Sequence, residues 1–188
     1  MPLVHKCVSL ARGWGDAYSS NNGAGMSSKD IEALRAFYVG TRQQLYTYAV
    51  SITGNREAAE DAIHGVFERL LRCEGLPADL RPYVFRSVRN AAYDASRRTK
   101  VRTDSIFDEA AALEVAEPGS PGASQPGEFE PLLQRLSPDE RETIILKIYD
   151  GFTFQQIADL RQVPLPTAAS WYRRGLDQLK TILTAESR

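Results

Sequence analysis

Arg86, Arg89, Asn90, Tyr93 and Arg97 recur at intervals of one to four residues, so on a helix they form one outward stripe. Arginine neutralises phosphate and releases counterions, asparagine hydrogen-bonds base edges, and an aromatic ring stacks on an unpaired base. The chemistry that suits this stripe is recognition of a nucleic-acid strand. A solvated basic helix face is the plain alternative. The interleaved Asn90 and Tyr93 tip the reading towards nucleic acid.

A second candidate lies in "QVPLPTAASWYRRG", residues 162–175. A helix beginning near Leu165 puts Ala168, Tyr172, Gly175 and Leu179 in an apolar seam. Thr167, Ser170, Trp171 and Arg174 then face outward, with Arg173 beside them. Thr, Ser and Arg suit phosphates or base edges, and a tryptophan can pack on sugar or a thymine methyl. The competing place for Trp171 is the core.

The third set is Glu60, Asp61, His64 and Glu68, on the outer face of another expected helix. Glu60, His64 and Glu68 are four residues apart, but a single histidine with no second ligand motif makes a poor metal site. A partner-binding or plain solvated face is the better reading. Catalysis has little to stand on. His5 lies in a loose extension, His64 on a helix face, and there is no Gly-rich phosphate loop or nucleophile elbow. Neither catalytic residues nor a cofactor are expected.

Both halves of the chain read as helical. Ser27 or Ser28 can cap a first helix bearing Ile31, Leu34 and Tyr38. A second carries Leu45, Tyr48, Ala49 and Ile52 and stops at Gly54. Asn55 can cap a third, with Ala59, Ile63, Val66 and Leu70 at helical spacing. A fourth opens near Pro82 and turns Val84, Val88, Ala91 and Ala95 inward. Farther on, "LSPDE" supplies Ser137 as cap, Pro138 at the first helical position and Glu140 to complete a capping box. Ile144, Ile145, Ile148 and Tyr149 follow as apolar positions, and Asp150–Gly151 ends that helix. Thr153 and Gln156 repeat the capping device before Ile157, Ala158 and Leu160. A short helix, a tight break at "RQVP" and a helix with a polar outer face make a helix-turn-helix. The fold class expected is all-α.

At 188 residues, with 43% hydrophobic and 25% charged residues, the chain has the composition of a globular protein and not of a disordered one. No apolar run approaches a membrane span, and the N-terminus lacks the apolar core of a secretory signal. Cys7 and Cys73 make neither a metal spacing nor a disulfide framework, which suits a reducing cytoplasm. The net charge of −1 conceals segregation. Residues 86–102 carry six arginines and lysines against Asp94, whereas 103–131 carry seven acids and no base. The acidic stretch includes "EPGSPGASQPGEFEP", whose composition reads as a linker. Four segments result: a flexible extension over 1–27 (Met26 being a second candidate start), a helical domain over 28–101, an acidic Pro/Gly-rich linker over 102–131, and a helix-turn-helix domain over 132–185.

"LYTYAVSITGNREAAEDAIHGVFERLL" and "YVFRSVRNAAYDASRR" resemble conserved region 2 of the extracytoplasmic-function (ECF) sigma factors, the small specificity subunits of bacterial RNA polymerase. "LLQRLSPDERETIILKIYDGFTFQQIADLRQVPLPTAASWYRRGLDQLK" is similar to their region 4. This resemblance implies a role in binding core polymerase and directing promoter-specific initiation, with no chemistry of its own. It places Glu60, Asp61, His64, Phe67 and Glu68 on the clamp helices of the largest polymerase subunit. Arg86, Arg89, Asn90, Tyr93, Asp94, Arg97, Arg98 and Lys100 fall to the −10 element. Gln155, Thr167, Ser170, Trp171, Arg173 and Arg174 fall to the −35 element. Core polymerase (its clamp helices and flap), promoter DNA and an anti-sigma or other protein regulator are the implied partners, without membrane insertion. The linker's acids suit a channel built for RNA. A sigma-like interaction module that binds a regulator without reading promoters is the alternative.

The departures from the family pattern carry their own expectations. His64–Gly65 stands where a Gln-Glu pair is usual, and Gly65 costs its helix about 1 kcal/mol relative to alanine. Gln162 replaces the usual turn glycine, so a left-handed conformation there costs roughly 1–2 kcal/mol. Ala169 and Trp171 replace frequent Lys and Arg, which predicts a shallow salt dependence of DNA binding.

Overall fold

The computed structural model describes residues 26–105 and 130–186, the side chains at 99–105, 130, 131 and 186 excepted. The N-terminal extension up to residue 25 and linker residues 106–129 lie outside the described residues. Every regular element described is helical: α1 Ser28–Thr53, α2 Arg56–Leu71, α3 Leu80–Ser105, α4 Glu130–Gln134, α5 Pro138–Ile144, a π-helical turn Ile145–Tyr149, α6 Phe154–Arg161 and α7 Leu165–Glu186. No described helix is long and apolar enough to cross a membrane.

Local chemistry sets most of the ends. The Ser27 hydroxyl accepts the Asp30 amide at 3.2 Å, and Asn55 Oδ1 accepts the Ala58 amide at 2.9 Å. Gly54, at φ 65°, closes α1 by donating its amide to the Val50 carbonyl. Both capping boxes form, Ser137 with Glu140 and Thr153 with Gln156.

The first two expected helices are one. Leu34, Tyr38, Leu45, Tyr48 and Ala49 are all buried along α1, so a single apolar stripe runs through Gly40 without a break. Burial on both sides of Gly40 outweighs its propensity cost of about 1 kcal/mol. The helix α3 also departs from expectation: it runs to Ser105, and Phe85 and Ala92 are buried while Ala91 and Ala95 are only partly so. Its buried face is broad because α1 and α2 cover one side and α6 another.

The π-turn corrects a third expectation. Ile148 and Tyr149 are 59% and 49% exposed, whereas Leu146 is buried. The wider winding carries the positions after Ile145 off the α-helical register, and the amides of Asp150 and Phe152 reach back to the carbonyls of Ile145 and Leu146.

The two helical pieces, expected as separate bodies, share one core. The buried cluster runs from Leu34 and Tyr48 through Phe85 to Phe152, Ile157 and Leu160. Phe85 of α3 meets Phe152 edge-to-face with centroids 4.9 Å apart. The Arg81 guanidinium lies 4.7 Å over the Phe152 ring and donates to the Asp150 carbonyl. Arg86 donates to the Asp159 carbonyl at 2.9 Å.

Candidate nucleic-acid interface

The helix-turn-helix consists of α6, a turn at 162–164 and α7. Gln162 takes the left-handed conformation (φ 56°, ψ 48°), the only non-glycine among the described residues to do so. There its own amide reaches the Asp159 carbonyl and the Val163 amide reaches Ala158. Pro164 then accepts the Thr167 and Ala168 amides, starting α7. A Pro166 side chain in this first turn removes an amide that has no helical partner there.

The seam of α7 is the expected one. Ala168 is fully buried, Tyr172 packs edge-to-face on Phe154 at 5.3 Å, and Gly175 lies directly against α5. A β-carbon at 175 would sit 2.6 Å from Ile144 Cδ1, so glycine sets how closely α5 and α7 approach. That contact turns the opposite face outward. Pro166, Thr167, Ser170, Trp171 and Arg174 line one shallow depression on it. Arg173 and Gln155 are exposed, although Gln155 Nε2 donates to its own helix's Asp159 at 2.9 Å.

Two of these residues are tethered. Arg174 Nε donates to Glu140 Oε1 at 3.1 Å. Burial pushes the Glu140 carboxyl up, but hydrogen bonds from Ser137 and Arg174 outweigh it and hold the pKa below the usual carboxylate value. Trp171 is half-buried, its ring covered by the guanidinium of Arg161 at 4.3 Å. Both readings of this tryptophan are thus partly met: one face of its ring packs inward and the rest reaches the surface.

The stripe on α3 divides in two. Asn90, Asp94, Arg97 and Arg98 are exposed, with an Asp94–Arg97 ion pair at 3.2 Å. Lys100 belongs to the same helix, but its side chain is among those not described. Arg86, itself exposed, reaches α6, and the half-buried Arg89 and Tyr93 turn towards α5. Arg89 Nε donates to Glu142 Oε1 at 2.6 Å, Tyr93 donates to Oε2 at 3.2 Å, and Tyr48 from α1 donates to Oε1 at 2.6 Å. Arg161 lies 3.4 Å from the other oxygen. Burial and then Glu142 raise the hydroxyl pKa of Tyr48 and Tyr93, and Glu142 holds Arg89 above its ordinary value despite burial.

Glu142 and Arg161 are the residues that sequence reasoning missed. Glu142 precedes Ile145 and Leu146 by three and four positions, so a carboxylate sits in the buried register of α5. An acid in that register needs cationic partners, and this was the available signal.

On α2, Glu60 and His64 are half-buried and Asp61 is exposed. His64 Nε2 and Glu68 Oε1 are 2.8 Å apart, so the pair is engaged along its own helix. Phe67 does not belong to this face. It is 2% exposed and packs edge-to-face on Tyr38 at 4.9 Å, because its position in α2 falls on the apolar stripe with Ile63 and Leu70. Among the described residues no group of three His, Cys, Asp or Glu could hold a metal ion.

Residues 37–102 match the family model for sigma-70 region 2 and residues 127–179 that for sigma-70 region 4. The RNA polymerase sigma factor CarQ of Myxococcus xanthus is 28% identical over 156 residues, spanning 81% of this chain and 90% of its own. The ECF RNA polymerase sigma factor EcfG of Rhodopseudomonas palustris (strain TIE-1) is 24% identical over 158 residues, spanning 81% and 86%. Among solved structures, the fold resembles the sigma factor RpoE of Bartonella quintana, crystallised with the anti-sigma factor NepR. That likeness has a TM-score of 0.64 at 23% identity and covers 81% of this chain and 98% of that one. A region-2 bundle followed by a region-4 helix-turn-helix, together matching more than half of the chain, makes this protein a member of the ECF-type RNA polymerase sigma factors, non-enzymatic subunits that direct transcription initiation.

Proposed function

We infer that this sigma factor reads the −35 element with α7 and the −10 element with α3, and docks on polymerase through α2. The observation that carries the reading is the geometry of α7. The glycine contact with Ile144 buries one side, and Thr167, Ser170, Trp171, Arg173 and Arg174 are left on the other. A helix with hydroxyls, guanidinium groups and an indole on its outer face suits a major groove. In this reading Gln155, exposed at the start of α6, contacts the adjoining backbone.

The exposed Asn90, Asp94, Arg97 and Arg98, with Arg86, Arg89, Tyr93 and Lys100, form the −10 surface, where arginines hold phosphate and Tyr93 stacks on a melted base. Glu60, Asp61, His64 and Glu68 form an acidic face suited to the clamp helices of the largest subunit, and region 4 takes the flap. An anti-sigma protein is the expected regulator. The Bartonella quintana sigma factor of similar fold was crystallised with one.

Asp61→Arg tests the docking face. Asp61 is exposed, so the substitution leaves the fold intact while reversing a charge. The variant is expected to stop co-migrating with core RNA polymerase while its circular dichroism and thermal unfolding match wild type. Unchanged holoenzyme assembly would exclude this face. A chain serving only as an interaction module would bind no core polymerase in either form.

A further inference from the structure

Of the six residues assigned to the −35 element, Trp171 alone is apolar, and its surroundings narrow what it can meet there. The Arg161 guanidinium covers one face of its ring, 4.3 Å from the centroid. Arg161 is buried and held in turn by the Asp139 carbonyl at 3.0 Å, the Asp139 carboxylate and Thr143 Oγ1 at 3.4 Å. The indole is thus fixed from behind before any DNA arrives. The rest of it opens into the shallow depression that it shares with Pro166, Thr167, Ser170 and Arg174. Pro166 and the indole line this notch with carbon, and Thr167 and Ser170 add hydroxyls.

The occupant follows from what a paired duplex offers. Stacked bases present no free face for the ring, and its negative quadrupole disfavours phosphate. Major-groove edges carry donors, acceptors and a single apolar group, the C5-methyl of thymine. Beside that methyl, the Thr167 and Ser170 hydroxyls suit the thymine O4 and the N6 amino group of the paired adenine. The notch therefore matches one complete A·T edge. Packing of the indole on a deoxyribose would use the same apolar surface but carry no base information.

We propose that Trp171 selects an A·T pair in the −35 element by holding the thymine methyl in this notch, and that Arg161 is the positioning residue that aims the ring. The proposal deepens the assignment of α7 to the −35 element and rests on it. Arg161 touches no base; it acts through the stack. A ring already immobilised loses little side-chain freedom on binding, so the methyl contact is realised nearly in full.

The test uses holoenzyme assembled from the full chain and core RNA polymerase, with duplex DNA of a promoter located by mapping transcription starts. Each thymine of the −35 element is replaced in turn by deoxyuridine, which deletes the methyl and keeps every hydrogen-bonding group. At one position the replacement is expected to weaken wild-type binding about fourfold, the effect of burying one methyl. Trp171→Ala is expected to bind the two duplexes alike. Folded Arg161→Lys, lacking the planar fork, is expected to bring their ratio below about twofold. A merely structural Arg161 would weaken binding to both duplexes equally and keep the wild-type ratio, which overturns the positioning role. If Trp171→Ala fails to fold by circular dichroism, Trp171→Gln replaces it with the same expected loss of discrimination. The methyl reading is overturned if no deoxyuridine weakens wild-type binding, as packing on a sugar would give, or if the −35 element holds no A·T pair. It is equally overturned if a folded Trp171 variant keeps the methyl effect. Failure of the α7 assignment reads out separately, as holoenzyme with Ser170→Ala and Arg173→Ala together that binds the promoter as wild type does.

Discussion

The guanidinium carbon of Arg161, at the end of α6, lies 4.3 Å from the centroid of the Trp171 ring on α7. Arg161 is itself buried, and its head group is fixed by the Asp139 carbonyl at 3.0 Å, by the Asp139 carboxylate and by Glu142 at 3.4 Å. The indole is thereby seated on a cation that cannot move away. A desolvated cation–π contact of this kind contributes up to about 2 kcal/mol.

A double-mutant cycle measures that contact. Trp171→Ala and Arg161→Lys are each expected to lower the unfolding free energy by roughly 1–3 kcal/mol, lysine lacking the planar fork that reaches Asp139 and Glu142 together. Their combination should cost about 1 kcal/mol less than the sum, since both remove the same stacking. Urea titration of the four proteins gives the cycle, and strictly additive costs would show that the stack contributes nothing.

This pair also marks where the sequence stopped being informative. Caps and stops were legible because their chemistry is local. Ser27, Asn55, Ser137 and Thr153 each bond an amide within three residues, and Gly54 answers a need of its own backbone. The seam of Ala168, Tyr172 and Gly175 was legible from its spacing. The Glu142 cluster was not, since Tyr48 and Arg89 lie 94 and 53 residues away in the chain. Neither was the burial of Phe67, because the resemblance supplied a docking role for a position that periodicity alone assigns to the core. Pattern gives each helix its faces. Which faces meet depends on the neighbours that happen to cover them.

The turn residue gives a second prediction. Gln162 stands at φ 56° and ψ 48°, a region that costs a residue with a β-carbon about 1–2 kcal/mol. Glycine escapes that strain but loses more chain entropy on folding, by about 0.4–1 kcal/mol. Gln162→Gly is therefore expected to stabilise the protein by about 0.5–1 kcal/mol, and Gln162→Val to destabilise it by at least as much. The turn is not part of α2, the helix assigned to core docking, so holoenzyme assembly should be unaffected. A Gln162→Gly protein that melts at or below the wild-type temperature would mean that the glutamine side chain makes a compensating contact.

Asp150 supplies a pH dependence whose sign is the reverse of the usual carboxylate. Its side chain is buried at the foot of the π-turn, and neither carboxylate oxygen has a hydrogen-bond partner. Burial raises its pKa to about 8, the nearby Arg81 pulling the other way. In the unfolded chain the same group titrates near 4. Between those values the folded protein holds a proton that the unfolded chain has released, so stability falls as pH rises through the window and levels off above about pH 8. The loss approaches 1.4 kcal/mol per pH unit at most. Asp150→Asn removes the titration. Its stability relative to wild type should stay constant near pH 4, climb steadily from pH 5 to pH 8 and then flatten. Urea unfolding of both proteins at pH 5, 6, 7 and 8 measures the difference. A difference independent of pH would place an ionised carboxylate in the folded state, with Arg81 outweighing burial.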